Sequence, residues 1–278
     1  MTTSKYNITF LVSSDPNAGA LNISNNGATF DIYLDRPLIV PSKAKNIYIE
    51  TKNATIWYTT PNIVAGVNDQ WKITYDDGIT SETRQVTIPE GLYNINTLED
   101  KLNLLLYNTP IGAPDYHFPI DLIKLLPDNA ENKVVIQFNY SGTQIDFNIN
   151  NNIKHLLGFT SNLVPASPTV GEDEVVFAEE VAKFNAINYY LIQSTLVSKG
   201  LNFNSKYQNI IARVLINGPP NSQITYDPQQ TYKIPAPELR GSNFTTITFT
   251  LTDDNNVPIN TRGEAWSVLF VVHYEVVD

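Results

Sequence analysis

Three histidines and two of the acidic runs are the candidates in this sequence for acid, base or metal-ligand chemistry. His117 lies in a proline-broken link, His155 in a short helical stretch and His273 in the last strand-like run, and none stands at metal-ligand spacing from another. Asp76-Asp77-Gly78 and Asp253-Asp254-Asn255-Asn256 could in principle hold calcium or supply a glycosidase pair. Neither run has the spacing of an EF-hand loop, and a cleaving pair would come from separate strands. Both runs fall where turns are expected, and Asp and Asn favour turns because their side chains bond nearby backbone N–H groups. With no cysteine there is no thiolate nucleophile, no disulfide framework and no cysteine-ligated metal. A Gly-x-Ser-x-Gly elbow, a P-loop and a dinucleotide glycine fingerprint are also missing. The expectation is therefore a chain with no catalytic, cofactor-binding or metal residues, and not an enzyme.

Composition narrows the class further. The 278 residues carry a formal charge of -10, and only 17% of them are charged. That field repels nucleic acid and anionic membranes, and no basic run offsets it. The opening MTTSKYNITFLVSSDPNAG has one lysine and an apolar core too short for a signal peptide. No stretch of about 20 apolar residues could span a bilayer. Five Asn-x-Ser/Thr sequons, at Asn7, Asn22, Asn53, Asn139 and Asn243, are read as chance in an Asn- and Thr-rich chain.

The elements that would hold these groups are mostly strands. In residues 243–277, Ile247, Phe249 and Leu251 alternate with threonines, and Trp266, Val268, Phe270, Val272, Tyr274 and Val276 form a second alternating run. These read as a C-terminal hairpin whose last strand is central, since Leu269 and Val271 cover its other face. Upstream, residues 1–27 read as an N-terminal arm. Strands are expected at 28–34, 45–59, 70–75 and 84–88, with a phase slip near Asn53 that calls for a β-bulge. Residues 96–106 form a helix: Asn96 and Glu99 resemble a capping box, and Leu98, Leu102, Leu105 and Leu106 make one stripe. After a link holding Pro110, Pro114, Pro119 and Pro127, a hairpin is expected across Ser141-Gly142, then a short helix between Asn152 and Gly158. Four more strands follow, at 187–197, 209–216 and in the two closing runs. The count is that of a mainly β fold, an eight-stranded jelly-roll β-sandwich with a small α+β insertion between the fourth and fifth strands. Its parts are an arm at 1–27, a jelly roll from 28–89 plus 185–278, and an inserted module at 90–184.

Aromatic placement points to surfaces. Trp71 and Trp266 alternate in phase with apolar residues and read as core, Trp57 is unassigned, and Tyr189-Tyr190 puts one ring on each face of its strand. The Pro/Gln/Tyr-rich residues 218–232 read as a loop too long for a tight turn and suited to subunit contact.

The segments IPEGLYNINTLEDKLNLLL (88–106) and VVIQFNYSGTQIDFNINNNIKHLLGF (134–159), with the closing run YKIPAPELRGSNFTTITFTLTDDNNVPINTRGEAWSVLFVVHYEV, resemble the penton (capsid vertex) proteins of virophages and polinton-like viruses and, distantly, adenovirus. The resemblance covers roughly the last two-thirds of the chain. It implies a structural virion protein: a homopentamer at the vertices of an icosahedral shell, with itself and a major capsid protein as partners and a spike or receptor at its outer face. It further implies localisation in the virion and assembly in the host cytoplasm or a viral factory. No Arg-Gly-Asp is present, so an adenovirus-like receptor role gains no support. Two other readings stay open on the residues: a compact double-jelly-roll major capsid protein, which would be a trimer, and a carbohydrate- or receptor-binding β-sandwich module.

Overall fold

Alternating apolar and polar residues make strands along most of this chain, and long-range pairing sorts them into two units. The computed structural model describes residues 2–108, 117–185, 187–203 and 206–277. The first unit comprises Met1–Thr60 with Ile187–Asp278, the second Pro61–Ala186. In chain order the first contributes β1 (Thr3–Ser13), β2 (Ala20–Ser24), β3 (Thr29–Ile39) and β4 (Lys45–Trp57). The second holds β5 (Gln70–Asp76), β6 (Ser81–Thr87), helix α1 (Ile95–Asn108), β7 (Ile123–Asp128), β8 (Lys133–Phe138) and β9 (Thr143–Asp146). It closes with α2 (Lys154–Leu157), β10 (Leu163–Val164) and β11 (Glu174–Phe177). The chain then returns to the first unit with β12 (Tyr189–Ser194), β13 (Asn202–Phe203), β14 (Lys206–Tyr207) and β15 (Ile210–Leu215). The last elements are β16 (Gln223–Tyr226), β17 (Lys233–Pro235), β18 (Asn243–Thr252) and β19 (Ser267–Val277).

The first unit is a sandwich of two antiparallel sheets. One runs β1-β19-β4-β16, with β17 also on β4; the other runs β15-β12-β18-β3-β2. Strands β1, β4, β16 and β19 thus fall in one sheet and β3, β12, β15 and β18 in the other, in jelly-roll order. Phe249 of β18 meets Phe270 of β19 at 5.5 Å, and Trp266 stands edge-on to Phe30 at 5.0 Å, so the two inner faces share one core. The expected bulge in β4 is present. Asn53 faces Leu269 and Thr51 faces Phe270, leaving Lys52 unopposed. Because one extra residue flips the side-chain phase, buried positions move from Ile47, Ile49 and Thr51 to Ala54, Ile56 and Tyr58.

Three sequence expectations change here. Residues 1–27 are not an arm: β1 pairs with β19 over all 11 residues and β2 pairs with β3, so the segment supplies the first strand of the jelly roll. Strands β5 and β6 belong to the second unit, where β5 pairs with β6 and β9. Its boundary therefore falls at 61 rather than 90, and the insertion follows the third jelly-roll strand, not the fourth. Finally, β18 and β19 are not a hairpin. β18 pairs with β3 and β12, β19 with β1 and β4, and they face each other across the core.

The second unit has a four-stranded sheet, β10-β9-β5-β6, a three-stranded sheet, β11-β8-β7, and helix α1. Leu98, Leu102 and Leu106 are fully buried in its core with Trp71, Ile73, Ile136 and Phe147. The cap sits two residues earlier than expected: Asn94 Oδ1 accepts from Thr97 N–H at 2.9 Å, and Asn94 N–H donates to Thr97 Oγ1 at 3.0 Å. Glu99 instead accepts from Leu125 N–H at 2.6 Å, tying α1 to β7. At the other end of α1, buried Arg84 donates to the Leu106 carbonyl while its guanidinium lies 4.0 Å from the Phe118 ring centre. The hairpin across Ser141-Gly142 does not form, because β8 and β9 lie in different sheets. Gly142, at φ +72°, brings its backbone so close to the Asp76 carbonyl that a Cβ would collide with it. The turn serves a change of sheet. Gly158 ends α2 as expected, at φ +85° with its N–H on the Lys154 carbonyl. Pro110 and Pro114 lie outside the described residues.

Candidate functional site

The groups with chemical potential do not converge. His117 and exposed His155 are in the second unit, His273 in the first. His117 stacks on Tyr107 at 4.9 Å and its Nδ1 lies 2.8 Å from the Tyr107 carbonyl. Both acidic runs are occupied with turns. Asp76 Oδ1 accepts from Gly78 N–H at 2.8 Å, and Asp77 Oδ1 from Ile79 and Thr80 N–H at 2.8 and 2.7 Å. Asp253 Oδ1 accepts from Asn255 and Val257 N–H at 2.9 and 2.8 Å, while Asp254 Oδ2 accepts from Asn188 N–H at 3.1 Å. Among the described residues no group of three or more His, Cys, Asp or Glu could hold a metal ion. Of the sequon asparagines, Asn22 donates to Asp31 at 2.8 Å and Asn139 to the Asp121 carbonyl.

What the first unit does offer is an open side. Strand β15 ends one sheet and β16 and β17 together end the other, and the two edges face each other: Thr51 of β4 donates from Oγ1 to the Ile211 carbonyl of β15 at 3.0 Å. Residues 218–232, read from sequence as one loop, are a turn, strand β16 on β4, and an excursion at 227–232 before pairing resumes at Lys233. That excursion and β15 enclose a cavity of about 560 Å³. Leu191, Ile211 and Val214 line its floor; Tyr189, Arg213 and Asp227 supply polar groups. The two rings of Tyr189-Tyr190 divide as expected. Tyr189 faces the cavity with the Arg213 guanidinium 5.4 Å from its centre, whereas Tyr190 is fully buried with its hydroxyl 3.1 Å from Thr60 Oγ1. Burial pushes the Tyr190 hydroxyl far above its ordinary range. Trp71 and Trp266 are core residues, in the second and first units respectively, and Trp57 is half-buried.

The excursion is held by a cluster that the sequence did not announce. Glu50 of β4 is 5% exposed. It bonds Lys52 Nζ at 2.6 Å, His273 Nε2 at 2.8 Å and the Thr231 hydroxyl, so one carboxylate ties β4, β19 and the excursion together. His273 stacks on Tyr48 at 4.4 Å, and its Nδ1 meets the Asn7 side chain of β1 at 2.6 Å. Burial alone would raise the Glu50 pKa. The Lys52 and Thr231 hydrogen bonds, with the Lys52 charge and His273, overcome that and hold it at about 2. Burial, with the nearby Lys52 and Lys233 charges, lowers the His273 pKa against the opposing pull of Glu50. The separation of these partners in sequence, 223 residues from Glu50 to His273, explains why periodicity could not find them.

No protein-family model matches this chain, and no curated protein sequence matches it. Among solved structures, it is similar to the mavirus penton protein, with a TM-score of 0.47 and 11% identity over 98% of this chain and 100% of that one. It is also similar to a chain of the Sputnik virophage particle, with a TM-score of 0.44 and 14% identity over 97% of each.

Proposed function

We propose that this chain is a penton-like capsid vertex subunit, a structural virion protein that forms a homopentamer in an icosahedral shell against a major capsid protein. The observation that carries the reading is a jelly roll without net charge whose two lateral sides end in free strand edges. The first unit has eleven basic and eleven acidic residues, so copies can pack side by side without mutual repulsion. The second has seven basic and seventeen acidic residues, the whole net charge of the chain. Such a surface suits contact with solvent or with a basic outer partner better than contact with its own copies. The segments at 88–106 and 134–159 that resemble penton proteins fall within this second unit.

A double-jelly-roll trimer fits less well, because the sheets of the second unit, β10-β9-β5-β6 and β11-β8-β7, do not follow a jelly-roll path. The test is to label intact particles with Fab fragments against the second unit and reconstruct them. Fab density on the fivefold axes is expected; density on threefold or general positions, with none at the vertices, would overturn the proposal.

A further inference from the structure

The second unit leaves a strand edge open. Strand β11 ends the sheet β11-β8-β7, and among the described residues no strand lies beyond it. Ala178 N–H donates to the Val134 carbonyl at 2.9 Å, one step past the pairing of Phe177 with Val135. That bond sets the phase of the ladder: Glu174 and Val176 bond β8, while the N–H and C=O of Val175 and Phe177 point to the open edge. The side chains of the same two residues are 50% and 57% exposed. Phe177, Val135 and Leu126 stand opposite one another across the three strands, an apolar row on the outer face of the sheet. Edge strands are commonly blunted by lysine or proline, and β11 carries neither.

The residues around β11 select what can pair with it. Glu172, Asp173 and Glu174 lead into Val175-Val176-Phe177, Glu179 and Glu180 follow, and no basic residue occurs between Lys154 and Lys183. Lys183 lies 3.7 Å from Glu180, and Lys124 stands on the outer face two strands away, across Gln137 from Val175. Pairing β11 with β11 of a second copy would set these five carboxylates against five more, and like charges on paired strands are destabilising.

We infer that β11 is a docking edge for an extended, basic segment of another protein, which adds a fourth strand to the sheet β11-β8-β7. The backbone of that segment bonds the outward N–H and C=O groups of Val175 and Phe177. Its apolar side chains lengthen the row that begins at Phe177, and its lysines or arginines meet the carboxylates at both ends of β11. Backbone pairing supplies the affinity and charge supplies the choice of partner. The inference rests on the second unit alone, so its failure leaves the vertex reading untouched.

The test titrates the full chain into a fluorescein-labelled peptide that copies residues 172–180 with every carboxylate replaced by lysine, and reads fluorescence polarisation. This peptide should bind roughly 10-fold more tightly than one of native sequence. It should also bind roughly 10-fold more tightly than a lysine peptide with proline at its fourth and sixth positions, which keeps the charge and loses two backbone donors. Equal binding of the native peptide would give the edge to a second copy, and equal binding of the proline peptide would reduce the contact to charge alone. Either result, or no binding at all, overturns the inference. Hydrogen exchange should slow in residues 174–178 when the lysine peptide binds; protection of a different segment instead would place the site elsewhere and overturn it too. Val175→Pro removes one outward N–H, a change that an edge strand tolerates, and should keep the thermal melt while weakening the lysine peptide roughly 10-fold. Glu172→Lys, at an exposed side chain, should weaken it about 3-fold. Unchanged affinity in the folded variants would contradict the docking edge.

Discussion

The two units solve the same problem with opposite charge plans. The jelly roll balances eleven basic with eleven acidic residues and buries Glu50 among them; the second unit carries the entire -10 and buries Asp69 and Arg84. Each has its own aromatic centre, Trp266 against Phe30 in one and Trp71 edge-on to Phe147 at 5.5 Å in the other. A net-neutral unit can be repeated around a ring, while a strongly acidic one resists packing against its own kind. On the proposed vertex reading, the difference assigns contact between copies to the jelly roll and not to the second unit.

The sharpest way to break this comparison is to empty one core and watch the other. Trp71→Ala should cost about 3–5 kcal/mol in the second unit. Hydrogen exchange should rise in β5, β6 and α1 while β18 and β19 keep their protection; equal loss in both would mean that the two cores unfold as one. Next in size is Glu50→Gln, which removes charge-assisted bonds worth about 1.5–3 kcal/mol from the jelly roll alone. The pH dependence sharpens it. Since the Glu50 pKa falls from 4.5 to about 2 on folding, its contribution is complete above pH 4.5 and disappears as pH drops toward 2. Melts of the wild type should lose stability in that window and the variant should lose less; parallel curves would contradict the cluster's role.

A smaller effect separates space from backbone conformation in the second unit. Gly142→Ala and Gly78→Ala both place a Cβ at positive φ, but only Gly142 meets a carbonyl, whereas Gly78 opens to solvent. Gly78→Ala should cost about 1 kcal/mol and Gly142→Ala about 1–3 kcal/mol more. Equal melting shifts would deny the close approach that sends β9 to β5. The smallest effect expected is that of salt. Raising ionic strength from 0.05 to 0.5 M screens the acidic units, with the Debye length falling below ~10 Å. Assembly should strengthen a few-fold; weakening would mean that attraction between charges holds the copies together.

Local pattern carried much of this fold, and pairing carried the rest. The alternation from Val268 to Tyr274 marks a central strand, and the leucine stripe marks α1, because burial on one face leaves a period in the sequence. Strand β1 also has its signal, Tyr6, Ile8, Phe10 and Val12, but alternation names a face and not a partner. The turn-rich residues after it made an arm the simpler reading. The same limit placed Trp71 in the wrong unit and joined β8 to β9 across Gly142. The cavity was half legible, through Tyr189 and the unusual residues 218–232. The Glu50 cluster was not, since a lone glutamate in a strand looks like any solvent-facing residue until Thr231 and His273 arrive from distant positions.

The most direct test of the central claim is the mass of the purified chain in solution, by light scattering with negative-stain class averages. The account predicts fivefold rings of roughly five times the 31.1 kDa chain mass. Trimers, or a monomer that persists at high concentration, would contradict it.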